Sequence, residues 1–203
     1  EEDPTIVWYR NSETKQVLIG GQGELHINIA KNKMKEKFGA DVDLSDLKVA
    51  YRETIKSKSD VQGKHKKQSG GHGQYGDVKI RFERCEEDFV FEEDIFGGSV
   101  PKQYIPAVEK GIKDAMVKGV LAGYPVTNIK ATLYDGSYHD VDSSEMAFKL
   151  AANIAFKKGM EQAQPILLEP IMKLTITVPE EYMGDVMGDI NKKRGKILGM
   201  EPT

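Results

Sequence analysis

Residues 64–82, KHKKQSGGHGQYGDVKIRF, decide how this 203-residue chain reads. Gly71-His72-Gly73-Gln74-Tyr75-Gly76 satisfies G-x-G-x-x-G, and Val78 extends it to the pattern of a kinase glycine-rich loop. A dinucleotide fold needs an apolar strand before such glycines and a helix after them. Here a polar lysine run precedes, and Val78-Lys79-Ile80-Arg81-Phe82 follows, alternating apolar and charged residues as a half-exposed strand does. The catalytic H-R-D-x-x-x-x-N loop and metal-binding D-F-G of a kinase are absent, as is any G-x-x-x-x-G-K-[ST] phosphate loop. Glycines at 70, 71, 73 and 76 leave backbone N–H groups unshielded, which suits close approach to a phosphate–sugar surface. The competing reading is a hairpin connection with no ligand.

The charge distribution favours the first reading. With 29 Lys and Arg against 32 Asp and Glu, the net charge of -3 argues against a protein that coats nucleic acid with its whole surface. Residues 56–80 are the exception, with Lys56, Lys58, Lys64, Lys66, Lys67 and Lys79 against only Asp60 and Asp77, and with His65 and His72 among them. A basic loop running into glycines is a local polyanion-binding signature. The single cysteine, Cys85, cannot form an internal disulfide, and His26, His65, His72 and His139 lack zinc-site spacing, so a reducing, cytoplasmic setting and no metal are expected. No apolar run approaches the roughly 18 residues of a membrane span. The opening EEDPT has neither an initiator methionine nor a signal-peptide layout, which suggests a piece of a longer protein.

Working outward, the pattern is α+β in three modules. Residues 5–10 and 16–20 are β-branched segments around Asn11-Ser12-Glu13-Thr14, a hairpin. A helix follows, with Ile27, Ala30, Met34 and Phe38 on one stripe and Gly39 as its cap, and a third strand is expected at Tyr51–Ile55. The first module is therefore 1–55. The second, 56–165, holds the basic loop, strands at Val78–Phe82 and Phe89–Phe91, and a helix begun by Pro106 with Val108, Ile112, Ala115 and Met116 inward. It continues with a strand at Val126–Tyr134, a turn at Asp135-Gly136-Ser137, and a helix capped by Asp142 whose buried stripe is Ala147, Leu150, Ala151, Ile154 and Ala155. The third, 166–203, has a period-two strand at Met172–Val178, a helix from Pro179 closed by Lys192-Lys193-Arg194 and Gly195, and the start of another strand.

Two clusters imitate catalytic sites. Asp140, Asp142, Ser143 and Ser144 look like a hydrolase constellation, but helix-start residues are the better explanation. Glu86-Glu87-Asp88 and Glu92-Glu93-Asp94 look like a metal site, but they flank a strand of three apolar residues and read as a solvated rim. No catalytic residue is assigned.

Six segments carry a resemblance: GGQGELH (20–26), KQSGGHGQYG (67–76), VPKQYIPAVEK (100–110), GVLAGYP (119–125), YDGSYH (134–139) and EYMGDV (181–186). In this order they closely resemble bacterial elongation factor G, across essentially the whole chain. The resemblance implies most of a ferredoxin-like third domain, a fourth domain of ribosomal-protein-like fold with a left-handed βαβ crossover, and the start of a ferredoxin-like fifth domain. It further implies a translational GTPase that moves transfer and messenger RNA through the ribosome, with the fourth domain's tip in the decoding centre. GTP and magnesium would belong to a GTPase domain outside this chain, which needs no cofactor itself. RNA contacts are expected from Lys64, Lys66, Lys67, Gln68, Ser69, Gly70, Gly71, His72, Gly73, Gln74, Asp135, Ser137, Tyr138 and His139. The partners would be the ribosome, ribosomal RNA and the tRNA–mRNA pair, with no membrane, and truncated sheet edges could pair two copies. His72 stands where many members carry arginine and Asp77 where histidine is common, which hints at a paralogue. The alternatives are a related factor for ribosome recycling or protection and, in another class, a nucleotide-dependent enzyme using Gly71–Gly76.

Overall fold

Asn11 turns its side chain back onto the chain, Oδ1 accepting from the N–H groups of Glu13 and Thr14 at 2.9 and 3.0 Å. This closes the hairpin of β1 (Val7–Arg10) and β2 (Val17–Gly20), as the residue types predict. Helix α1 (Glu24–Phe38) ends at Gly39 in the left-handed region, φ 65°, with its N–H on the Lys35 carbonyl and the Ala40 N–H on that of Met34. Its stripe is only partly covered: Ala30 is buried, Ile27 and Met34 are half-buried and Phe38 is exposed. The computed structural model describes residues 3–68, 71 and 73–201.

The third strand expected beside β1 and β2 joins another sheet. β3 (Arg52–Ile55) pairs antiparallel with β8 (Pro165–Leu168), Arg52 opposite Leu168 and Ile55 opposite Pro165. Glu53 explains the choice. Its carboxylate, 1% exposed, accepts from the N–H groups of Leu121, Ala122 and Tyr124 at 2.8–3.0 Å, while its backbone bonds Pro125 and Thr127. A buried carboxylate so completely satisfied fixes β3 to the segment of residues 121–127.

The central sheet has the order β4-β5-β7-β6, from β4 (Ser59–Lys67), β5 (Gln74–Arg84), β6 (Phe89–Glu93) and β7 (Ile129–Ser137). β6 and β7 are parallel and joined through α2 (Ile105–Met116), while the other pairs are antiparallel. Pro106 sits in the first turn of α2, as predicted, after a 3-10 turn at Lys102–Tyr104. Inward residues Val61, Val78, Ile80, Phe82, Ile129, Ala131 and Leu133 pack beneath α2 and beneath α3 (Glu145–Gln162). Phe82 meets Phe156 edge to face at 6.0 Å and Tyr104 stacks on Phe148 at 4.8 Å. Each fully buried phenylalanine adds about 2–3 kcal/mol of transfer free energy. The α3 stripe is rotated from the expected one: Phe148, Phe156 and Met160 fill the core, and Leu150 and Ile154 are half-buried. Apolar residues surround most of α3, so periodicity alone does not choose its face.

Residues 171–203 form a second unit. Helix α4 (Met183–Lys192) follows Pro179 and a 3-10 turn at Glu180–Tyr182. Arg194, not Gly195, takes the left-handed position beyond it, φ 62°, and the Gly195 N–H bonds the Ile190 carbonyl at 2.8 Å. The strands expected at Met172–Val178 and after Gly195 are not formed, and Met172 and Leu174 are 86% and 73% exposed. Alternation fits a segment for a sheet, but a ladder needs a partner, and among the described residues this unit offers none.

Candidate nucleic-acid interface

The basic segment, expected as a loop, is largely strand. Lys64, Lys66 and Lys67 lie on β4 opposite Asp77, Tyr75 and Gln74 of β5. The nine residues of β4 span roughly 27 Å, which separates these lysines from Lys56 and Lys58 at the other end. The five lysines are therefore two groups. Lys58 is engaged by Glu83 at 2.5 Å. Lys64 Nζ lies 5.2 Å from the Tyr75 ring centroid, a cation–π contact, and exposed Lys66 and Lys67 have no ion-pair partner among the described residues. His65 Nε2 and Gln74 Oε1 meet at 2.8 Å across the hairpin, and Gln68 and Gly71 are exposed. Ser69, Gly70 and His72 lie outside the described residues.

The second loop begins later than predicted. Asp135, Gly136 and Ser137 continue β7, paired with Lys79, Val78 and Asp77, after an irregularity in register at Lys79 and Ile80. Gly136 serves close packing there, not turning: a Cβ would collide with the Asp77 carbonyl oxygen and with Val100. Asp135 gives its carboxylate to Lys79 at 2.7 Å, and that ammonium holds the Asp135 pKa down to about 2. It is thus committed to the sheet, as is Ser137, whose hydroxyl lies 2.7 Å from Asp77 Oδ2. Exposed Tyr138 and His139 open the turn. His139 Nδ1 accepts from the N–H groups of Val141 and Asp142 at 3.3 and 3.2 Å, which puts the proton of the neutral ring on Nε2. The ring is 54% exposed and has no contact to Asp140 among the described residues.

Asp142 does not cap α3. Ser144 does, its hydroxyl accepting from the Ala147 N–H at 3.2 Å. Asp142 Oδ1 instead accepts from the Gly73 N–H at 2.9 Å and its carbonyl from the Tyr75 N–H at 2.8 Å, while Ser143 Oγ donates to the Tyr75 carbonyl at 3.0 Å. A Cβ on residue 73 would stand 2.7 Å from Asp142 Oδ2, so a larger residue there would push that carboxylate aside. These bonds join the glycine loop to the His139 turn in a single tip. Sequence reasoning missed this role of Asp142 and Ser143, and no local signal marks it, since the bonded groups are 67 to 69 residues apart.

Elsewhere on the outer sheet face cations are neutralised. Arg81 pairs with Asp60 at 3.4 Å and stacks on Tyr134 at 4.1 Å, and Lys130 pairs with Glu92 at 2.8 Å. Burial first, and then the hydrogen bond to Asp60, push the Tyr134 hydroxyl up to about 12. A groove of about 390 Å³ among Lys58, Asp60, Arg81 and Glu83 is lined by these paired charges and lies away from the tip. The hydrolase look-alike has no nucleophile–base pair: Ser143 is used by Tyr75 and by the His139 N–H at 2.9 Å, and Ser144 by the helix. In the acidic rim, Asp88 accepts from Thr127 at 2.8 Å, and no group of three potential metal ligands occurs among the described residues. Among those residues no helix is long and apolar enough to cross a membrane.

Family models described as Elongation Factor G, domain III, Elongation factor G, domain IV, and Elongation factor G C-terminus match residues 1–46, 47–164 and 166–203. A crystal structure from Thermus thermophilus is 52% identical and superposes with a TM-score of 0.89, covering 100% of this chain and 30% of its own. The chain thus spans less than a third of that relative. Three consecutive domain matches, and a shared fold at half identity throughout, make one assignment: the chain belongs to the elongation factor G family.

Proposed function

We propose that this chain is the RNA-facing part of a translational GTPase that promotes movement of tRNA and mRNA through the ribosome, with the tip formed by Gly73 and residues 138–143 entering the decoding centre. The observation that carries the reading is the joining of two distant loops by Asp142 into a tip with an outward imidazole and with Lys66 and Lys67, which have no ion-pair partner among the described residues. Lysine attracts phosphate without regard to sequence, and an Nε2–H donor meets a phosphate, a ribose hydroxyl or a base edge equally well. A factor that acts on every codon needs that indifference. GTP hydrolysis and its magnesium belong, on this reading, to another domain of the complete factor, and the ribosome is the partner. A nucleotide-binding role for Gly71–Gly76 is disfavoured because β5, not a helix, follows the glycines, which removes the helix N-terminus that would hold a phosphate.

The test is made in the complete factor. His139→Ala should slow translocation by about tenfold, equivalent to ~1.4 kcal/mol in the barrier, with single-round GTP hydrolysis near wild type. Equal losses in both steps would indicate misfolding, and no loss in either would refute the role of His139.

A further inference from the structure

We infer that Asp77 is a positioning residue for the tip: through Ser137 and Tyr75 it fixes the ring against which Lys64 and His139 are set. The inference rests on the reading of the tip as an RNA-binding surface and adds to it the device that aligns the two loops' side chains.

Asp77 is an acid only 5% exposed, on a strand whose neighbours in sequence, Gly76 and Val78, face the core. Gln62 Nε2 donates to its Oδ1 at 2.7 Å and Ser137 Oγ donates to its Oδ2 at 2.7 Å. Ser137 has a single proton, which this bond uses, so the Tyr75 hydroxyl, 2.7 Å from Ser137 Oγ, must donate to it. Every proton in the chain therefore points toward Asp77, and the hydroxyl end of Tyr75 has one direction. The other end is fixed too, since the Tyr75 backbone is bonded to Asp142 and Ser143. A ring held at both ends is a stable platform. Lys64 Nζ sits 5.2 Å from its centroid, and the His139 ring lies 6.3 Å away at 51°. One buried carboxylate thus governs groups on β4 and in the turn after β7, which have no direct bond to each other. Such networks lose more than one bond's worth of order when any member is removed, because the remaining donors are left to find new partners.

The role is one of hydrogen bonding and not of charge, which gives the substitutions opposite expectations. In Asp77→Asn the side-chain oxygen still accepts from Ser137, and the amide donates to Gln62 once that side chain flips. Asp77→Leu accepts nothing and releases Ser137 and Tyr75. Tyr75→Phe keeps the ring and its packing but cuts the link to Ser137, so it remains informative if Asp77→Leu fails to fold.

The deciding experiment measures binding of the 203-residue chain to bacterial 30S subunits over a range of salt, together with NMR of the His139 ring protons. Loss of positioning removes no phosphate contact. It should therefore lower affinity about threefold to tenfold, the weight of one hydrogen bond, at every salt concentration, without changing the slope of log affinity against log salt. Tyr75→Phe, Ser137→Ala and the double variant should show this same loss, not an additive one, and shift the His139 ring signals. Asp77→Asn should restore what Asp77→Leu loses. The inference is overturned if Asp77→Asn and Asp77→Leu behave alike, if Tyr75→Phe leaves affinity and ring signals unchanged, or if the slope changes. Failure of the wild-type chain to bind would refute the RNA reading instead, and the ring signals would then decide the positioning by themselves.

Discussion

Lys66 and Lys67 are the charges whose removal should be felt most directly. Of the six lysines between 56 and 80, Lys58 is tied to Glu83 and Lys79 to Asp135, and Lys64 is partly engaged by Tyr75. Lys66 and Lys67 have no such partner among the described residues, so their full charge is available to a phosphate. Each phosphate neutralised contributes roughly 0.7–0.9 to the slope of log affinity against log salt, so Lys66→Gln with Lys67→Gln should flatten it by about 1.6. Because this contribution vanishes near 1 M, the affinity lost is about 40-fold at 0.1 M salt and about threefold at 0.5 M. The assay is equilibrium binding to ribosomes across that range. Lys58→Gln with Lys79→Gln is the control: it removes the same formal charge from the same sequence segment, yet from ion pairs already satisfied, and should change the slope by less than half as much. An unchanged slope in the Lys66/Lys67 variant, or equal changes in both, would show that the lysines are a solvated face and that local ion pairing does not select the RNA contacts.

Three further outcomes are expected. Glu53→Gln turns an amide donor toward one of the three N–H groups it now serves, and should lower stability by about 2–3 kcal/mol, read as a lower urea midpoint with an unchanged m-value. Asp135, held by Lys79 at about 2 against an ordinary 3.8, stabilises the fold above its ordinary value and loses that contribution as pH falls through about 2. The advantage of wild type over Asp135→Asn should therefore disappear between those pH values in acid denaturation curves, and it should be small at any pH because both side chains are about 40% exposed. Association through the open edges of the β1–β2 ribbon should bury Trp8, the only tryptophan and 75% exposed, so its emission should shift to shorter wavelength with rising concentration; constant emission and constant scattering mass would exclude pairing there.

Elements written in local chemistry are legible in the sequence, and pairings are not. Asn11, Gly39 and Pro106 act on their own turn of chain, and the structure uses each as its residue type requires. Glu53 is the contrary case. Nothing around it in sequence distinguishes a strand of the first sheet from a partner of β8, because its choice is made by N–H groups about 70 residues away. Asp135-Gly136-Ser137 misleads for a related reason. The same residue types suit a turn and a glycine-relieved close approach between strands, and only the neighbouring Val100 and Asp77 decide between them. Met172–Val178 has the period of a strand and no partner in its unit among the described residues. The basic run and glycines fall beside one end of the sheet, but strand direction divides the lysines, and the tie through Asp142 exists only in three dimensions.

On the proposed reading, that tie bears on how a small tip holds RNA. Ordering a free loop against a ligand costs about 1–2 kcal/mol of backbone entropy per residue, which would offset much of the affinity of a few phosphate contacts. Here the backbone on both sides of the tip is fixed during folding: Gly73 and Tyr75 by Asp142, His139 by its own turn, and Tyr75 by Ser137 and Asp77. Lys66 and Lys67 are exposed, and a lysine ammonium on its four-carbon stem can meet a phosphate in many positions. The division suits a contact under force, since a rigid imidazole resists displacement while the lysines supply attraction without a required geometry. It also separates the two kinds of defect. Loosening the frame should lower affinity equally at all salt concentrations, whereas removing the lysines should lower it mainly at low salt, so the shape of the salt dependence reports which part of the tip has failed.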